Sequence, residues 1–424
     1  MTKVAAAACL AFSLMAPSAF AQVDQQVFAR VQQEKAAVLS TLKDLVSIES
    51  GSGDTEGVLR IGDLIARRLQ DLGGAVEQVA VPANMVRFEN TPPQLGKMVV
   101  GRFRGTGTRK ILLLAHMDTV YLKGMLAQQP FRVDGDRAYG LGIADDKHGV
   151  ALILHALSVL KALNFRDFGL ITVLITPDEE VSSAGSRTMI TKLGSEHDIV
   201  FSCEGSDRDA VRLATAGIAA VQLKVTGRAS HAGSAPEKGL NAIYELAHQI
   251  MQTRDLSDPK TGVKMNWTLA NGGSARNVIP AEAHATADVR VLHIADYDGI
   301  EKRVRERVRS QLIPDTKVEV VFERTRPPLE PGDASRKVGE QAKRIYAEIG
   351  SKLTVVDEAT GGGTDAAFAA LQTKAPVLEG LGLITFGAHS NDAEYINVAS
   401  IERRLYLLTR LIMESSKVEV PSSK

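Results

Sequence analysis

Three apolar runs of this chain end in groups that could hold a metal ion or move a proton. ILLLA at 111–115 leads into His116 and Asp118, LITVLIT at 170–176 leads into Asp178, Glu179 and Glu180, and DIVFSC at 198–203 leads into Glu204. Ligands of open αβ sheets bind beyond the carboxyl ends of the strands, so if these runs are neighbouring strands their polar tips meet at one edge. Like charges gathered there force some carboxyls to keep their protons unless cations sit among them. An imidazole among carboxylates suits zinc, whereas all-oxygen sets suit magnesium or calcium. The His-x-Asp spacing places both side chains on one face of an extended chain, where Asp118 could orient the His116 ring from behind. Taken singly these residues have ordinary explanations, since the chain has 9 histidines. The convergence of the three tips is what points to a metal site.

Placing such tips requires a buried sheet and helices to cover it. Apolar spacing at Val27, Val31, Val38, Leu42 and Leu45 predicts a helix over 26–46, with others at 55–72 and 147–162. Strands at 97–105, 110–115, 170–176 and 199–202 alternate with helices, which argues for βαβ units and a mostly parallel central sheet. The texture changes near Leu213. Segments 218–226 and 283–292 alternate as half-exposed strands, 241–254 and 297–311 read as helices, and 317–322 closes a β-α-β-β-α-β-like order. After Arg326, Pro327 and Pro328 the αβ pattern resumes, with helices at 333–349, 366–371 and 401–413 and a strand near 375–381. The expected fold is α/β: a catalytic domain, residues 22–212 and 327–424, interrupted by an inserted α+β sandwich (ferredoxin-like) at 213–326 that could act as lid and dimerisation domain.

At 424 residues the chain is too long for one ordinary domain. Lys3, the apolar run Val4–Met15 and the small residues Ala19 and Ala21 make residues 1–21 a signal peptide, cleaved before Gln22, and predict a periplasmic or secreted protein. No later segment is long and apolar enough for a membrane helix. Cys9 lies in the signal, so Cys203 is the one cysteine of the mature chain and no internal disulfide can form. Fifty basic and 50 acidic residues balance, which leaves no basic footprint for nucleic acid and no charged tail for a membrane surface. Gly140 and Gly142 lack the rest of a dinucleotide fingerprint, and Gly361–Gly363 with Thr364 lack the lysine of a phosphate loop. The triple glycine better suits close approach of backbone to a substrate.

The blocks HMDTV (116–120), YGLGIADDKHG (139–149), PDEE (177–180), CEG (203–205) and GAHSNDAEY (387–395) resemble the metal-site blocks of the M20 zinc metallopeptidases. GRASHAG (227–233), NVIPA (277–281), GGGTDAA (361–367) and RRLY (403–406) extend the resemblance to the bacterial glutamate carboxypeptidase subgroup. It implies two zinc ions per subunit bridged by Asp145, with His116 and Glu204 completing one site and Glu180 and His389 the other. It further implies Glu179 as general base, Asp118 behind His116, and a cis Asp145–Asp146 peptide. Arg290 and Asn277 would grip the substrate carboxylate, and His231 would reach the neighbouring subunit's site and stabilise the oxyanion.

Two zinc ions lower the pKa of a shared water and polarise the scissile carbonyl, while Glu179, adjacent to a ligand, could carry the proton to the leaving amine. Four carboxylates balance most of the charge of two dications, so a substrate carboxylate needs its own cation. Arg290 has the planar fork for it. Arg324 and Arg326 offer further charge or pair with acidic residues beside the domain junction. The expected activity is release of a C-terminal glutamate or similar residue from a small peptide or N-acyl substrate, folate-type compounds among them. The competing readings are an aminoacylase or dipeptidase of the same fold and, from another class, a non-catalytic periplasmic binding protein.

Overall fold

Along the Lys110–His116 strand, Ile111, Leu113 and Ala115 join one apolar cluster while Leu112 and Leu114 join another. Burial on both faces is why this run is apolar without alternation. The structure is a computed structural model that describes residues 23–390 and 394–417; the expected signal peptide lies outside the described residues. Six strands form one sheet in the order Ala75–Ala80, Lys97–Arg104, Leu170–Thr176, Lys110–His116, Ile199–Ser202, Val377–Leu378. The first two junctions are antiparallel and the other three are parallel. His116 pairs with Thr176, and Leu114 pairs with Ser202. The segments that follow 116, 176 and 202 therefore leave the sheet at one edge, as the sequence predicts.

Helices Gln25–Val46, Thr55–Asp71, His148–Ala162 and Ser400–Ser415 bury their apolar faces in the first cluster. Arg187–Glu196 and Ala366–Ala370 cover the other face. Asp24 and Asp54 cap the first two helices, accepting from the amides of Val27 and Gly57. His148–Ala162 is buried almost all round, the pattern of a central helix rather than a surface one. The edge strand Ala75–Ala80 went unpredicted because its sequence, AVEQVA, is too polar to stand out. No described helix is long and apolar enough to cross a membrane.

Between Gly217 and Arg326 the chain builds a separate four-stranded antiparallel sheet, ordered Lys264–Gly272, Glu282–Val291, Gly217–Thr226, Lys317–Arg326. Its central strands alternate buried and half-buried residues, and helices Ala242–Thr253 and Asp296–Arg307 close over the buried side. The Lys264–Gly272 edge strand has a largely exposed pattern, which hid it from periodicity.

The last helix ties the sheet edge down through one charge. Arg404, fully buried, donates from Nε to the Gly382 carbonyl (2.5 Å), from Nη1 to the Ala210 carbonyl (3.1 Å), and from Nη2 to Gly380. Gly382 in turn donates its amide to the carbonyl of Glu204 (2.9 Å). A buried carbonyl left without a donor costs about 1–3 kcal/mol. We expect Arg404→Met to lower unfolding free energy by about 3 kcal/mol or more, read as a fall in the urea midpoint; an unchanged midpoint would show that these bonds are replaceable.

Candidate active site

At the edge where the three parallel strands end, Asp145 stands between two imidazoles. His116 Nε2 lies 2.8 Å from Asp145 Oδ1, and His389 Nε2 lies 3.1 Å from Asp145 Oδ2. Glu204 Oε1 is 3.6 Å from His116 Nε2 on one side, and Glu180 Oε2 is 3.2 Å from His389 Nε2 on the other. The result is two donor groups, His116–Asp145–Glu204 and Asp145–Glu180–His389, that share the Asp145 carboxylate. Five side chains separated by up to 273 positions in the chain are brought together, and they are the five that the sequence blocks nominate.

Local backbone conformation aims them. Gly142, in the left-handed region at φ 73°, starts the turn that delivers Asp145, and the Asp145–Asp146 peptide is cis. His389 itself sits at φ 64°, a region that costs an L-residue roughly 1–2 kcal/mol, so contacts around it must hold it there. The turn that carries Asp145 is gripped by Glu394, which accepts from the amides of Gly142 (3.1 Å) and Ala144 (2.7 Å) and from the Tyr121 hydroxyl; that hydroxyl also lies 3.0 Å from the Ser390 carbonyl, next to His389. Burial pushes the Glu394 carboxyl up to about 7.

Asp118 has a wider role than the spacing suggests. Its backbone carbonyl is 3.0 Å from His116 Nδ1, with its carboxylate at 3.4 Å, so the ring is oriented with Nε2 facing the cluster. The same carboxylate accepts the amides of Glu179 (3.0 Å) and Glu180 (3.2 Å) and the Ser52 hydroxyl (2.7 Å). One buried carboxylate thus fixes the histidine and both glutamates. Asp178 organises the turn that follows: it accepts from Gly185 N (2.6 Å), Ser186 N (3.3 Å) and Ser186 Oγ (2.5 Å), and burial raises it to about 7.

Glu179 is paired with a cation from the insert. Arg326, at the end of the insert's last strand, places Nη1 2.8 Å from Glu179 Oε1 and Nη2 2.7 Å from the Glu179 carbonyl, and also meets Asp365 at 3.2 Å. Arg326 is 4% exposed and Glu179 is 8% exposed, so a contact reached across the domain junction immobilises the carboxylate. Its neighbour Arg324 does something different, pairing at the surface with Asp298 (2.7 Å) and Glu301 (2.8 Å). The pattern ERTR gave no reason to separate the two; strand alternation with a register shift between 324 and 326 does.

The electrostatics of the cluster fit divalent cations. Burial raises Glu204, Glu179 and Glu180 above the ordinary carboxylate range. His116 loses some basicity to burial, but Glu204, Asp118 and Asp145 raise it well above the usual imidazole value. Hydrogen bonds to Asp145 and Glu180 lift His389 to about 10. Burial opposes ionisation of Asp145, yet its bonds to His116 and His389 outweigh that and hold it down. Glu180 Oε1 is buried with no hydrogen-bond partner, and an orphaned carboxylate oxygen facing shared donor groups is what an ion would satisfy.

The substrate-side residues expected from the insert are less gathered. Arg290 donates to Asp288 from Nε (2.9 Å) and Nη2 (2.9 Å), and from Nη1 to the Gly361 carbonyl (2.8 Å). Three of its five N–H donors are engaged, leaving one on each Nη. His231 and Asn277 are exposed, and no hydrogen bond or ion pair joins either to the cluster in the same chain. They lie in paired segments, with Ala232 N donating to the Asn277 carbonyl (2.9 Å). His231 Nδ1 accepts two amides, from Gly233 and Ser234, both at 3.1 Å. The proton is therefore on Nε2, which faces outward as a donor.

With this geometry in place, likeness to known proteins has a physical counterpart. Residues 112–414 match peptidase family M20/M25/M40, and the chain belongs to that family. Carboxypeptidase G2 of Pseudomonas sp. strain RS-16 is 44% identical over 415 residues, covering 97% of each chain. Acetylornithine deacetylase of Proteus mirabilis is 30% identical over 368 residues, 82% of this chain and 88% of that one. A tripeptidase structure from Staphylococcus aureus shares the fold with a TM-score of 0.74 at 22% identity, covering 90% of this chain and 98% of that one.

Because Asp145 serves both donor groups, its loss should empty both. We expect Asp145→Asn to retain well under half of the metal bound by the unaltered protein, measured by elemental analysis after dialysis. Full retention would exclude it as the shared ligand.

Proposed function

We propose that the chain is a zinc-dependent exopeptidase that hydrolyses the amide bond to a C-terminal glutamate, or a similar residue, of N-acyl or peptidyl substrates. The observation that carries this reading is Asp145 offering one oxygen to each of two imidazoles, with the Arg326-anchored Glu179 buried alongside. The 44% identity to carboxypeptidase G2 supports the carboxypeptidase form of it.

His116, Asp145 and Glu204 would hold one ion, and Asp145, Glu180 and His389 the second; mixed imidazole and carboxylate donors favour zinc. Two such ions supply Lewis acidity, making a water more acidic and a carbonyl more electrophilic. Glu179 takes a proton from the attacking water as its oxygen adds to the carbonyl carbon, then gives that proton to the amide nitrogen as the C–N bond breaks. Asp118 keeps Glu179 and His116 in register throughout. Arg290, stiffened by Asp288, offers its two remaining N–H donors to the substrate carboxylate, and Asn277 adds an amide donor to it.

His231 acts across a two-fold axis in this reading. Its Nε2–H faces outward, and the same insert carries an exposed edge strand, Lys264–Gly272, and exposed Ile243, Tyr244 and Met251 on the adjacent helix. Two copies meeting there bury this apolar surface and bring each His231 toward the partner's oxyanion. Mixing inactive Glu179→Gln with inactive His231→Ala subunits should restore about a quarter to half of normal activity, because one site of the mixed dimer is then intact. No recovery, or a monomer by sedimentation, would remove His231 from the mechanism.

The deacetylase relative favours a second reading with the same chemistry, an aminoacylase. Hydrolysis of a matched N-acyl series ending in glutamate, aspartate, leucine and alanine separates the two. Glutamate release at least tenfold above leucine supports the carboxypeptidase; the reverse order overturns the glutamate preference. Glu179→Gln should lose at least a thousandfold in kcat with metal content intact, and normal turnover by that variant would sink the base assignment.

A further inference from the structure

At the sheet edge opposite the donor groups, a cavity of about 300 Å³ opens between the last turns of helix His148–Ala162 and the end of strand Lys97–Arg104. Arg104 pairs with Leu170, the first residue of the strand that ends at Thr176. At about 3.3 Å per residue, that strand holds the cavity roughly 20 Å from the donor groups. The floor is out of water, since Leu157, Leu160 and Phe168 are all buried. Phe165 packs against Phe168 with ring centroids 6.2 Å apart, so an aromatic wall is already built.

The mouth has the opposite character. Arg104, Lys161 and Arg166 stand around it, all exposed, and among the described residues no acidic side chain lines the cavity. Arg102, two positions before Arg104, pairs with Glu77; none of the three rim cations forms an ion pair among the described residues. Lys161 gives one donor to the Asp71 carbonyl (2.8 Å) and Arg166 one to the Arg104 carbonyl (3.4 Å). An ammonium has three donors and a guanidinium five, so most of the rim's donors are open to a ligand.

An apolar floor beneath an unopposed cationic rim recognises a molecule divided in the same way, with hydrocarbon at one end and an anion at the other. Guanidinium forks favour a carboxylate as that anion. At roughly 30 Å³ per non-hydrogen atom, water's share of liquid volume, the cavity takes about ten such atoms. We infer that this cavity is a second binding site, separate from the catalytic one, for a small amphipathic monocarboxylate of that size, from a medium-chain fatty acid to an arylacetic acid. The inference does not rest on the exopeptidase reading and stands if that reading fails.

Isothermal titration of the metal-loaded protein with octanoate and with phenylacetate tests it and separates the two sources. At least one should bind with a dissociation constant of about 1 mM or tighter, modest for about ten non-hydrogen atoms. Acetate, which lacks the hydrocarbon, and phenylacetamide, which lacks the charge, should bind at least tenfold more weakly. Combining Arg104→Glu with Arg166→Glu should weaken the acid at least tenfold, and Phe165→Ser should weaken it several-fold. Arg104→Lys should keep most of the affinity, which separates loss of charge from loss of fold. Arg290→Ala, on the catalytic side, should leave this binding unchanged. Affinity untouched by every rim variant, or lost in Arg290→Ala alone, would put the acid elsewhere and overturn the inference. No binding of either acid would overturn it as well, and rim-dependent retention on phosphatidylglycerol vesicles in that case would assign the rim to a membrane surface.

Discussion

Everything in this fold answers to one constraint: carboxylates and imidazoles are held out of water at a single sheet edge, where they cannot all keep their charges unaided. Burial raises Glu179, Glu180 and Glu204, while Asp145 is held down by the two histidines that flank it. Within the protein the imbalance is met by close contacts between imidazole and carboxylate. Cations bound to the two donor groups meet it more completely, and the orphaned Glu180 oxygen marks where protein partners run out.

The scaffold around the cluster consists of single groups that each fix several others. Asp118 sets the His116 ring and the amides of both glutamates; Glu394 holds the Asp145 turn and the Tyr121 hydroxyl; Arg404 holds the Gly380 and Gly382 carbonyls and, through Gly382, the Glu204 backbone. A buried ionised group with every bond satisfied is costly to move, because leaving any partner unpaired incurs its full desolvation. These groups therefore confer geometry more than net stability. They are also why ligands drawn from five chain segments can sit in contact without a continuous element joining them.

The parallel strands and the gathering of the five donor side chains were legible because their causes are local. A run buried on both faces has to be apolar, and ligands at its end interrupt it with charge, so ILLLAHMD and LITPDEE announce both fact and function. Edge strands Ala75–Ala80 and Lys264–Gly272 were not legible, since half-exposed positions accept polar residues and blur the period. Arg326 was only half legible. Its charge was plain, but a register shift two residues from the junction decides that it enters the core while Arg324 stays at the surface. Ser52 carried no signal at all, because hydrogen-bonding a buried carboxylate requires no motif, only proximity created by the fold.

The placement of Arg326 joins the lobes chemically as well as mechanically. It belongs to the last strand of the inserted sheet, yet its guanidinium spans the Glu179 carboxylate, the Glu179 carbonyl and Asp365. Arg290, two strands away in the same sheet, bonds to the Gly361 carbonyl of the glycine loop. Gly363 in that loop approaches Arg326 so closely that a Cβ would lie 2.8 Å from its Cδ, and equally close to the Ala216 carbonyl. The absence of a side chain at 363 is thus required by packing of the junction, while Gly361 is favoured by its φ of 113° and a Cβ at Gly362 would meet no atom within 4 Å. The insert supplies Arg326 and Arg290 and the catalytic sheet supplies Glu179, so the contact that holds the Glu179 carboxylate is made across the junction of the two lobes.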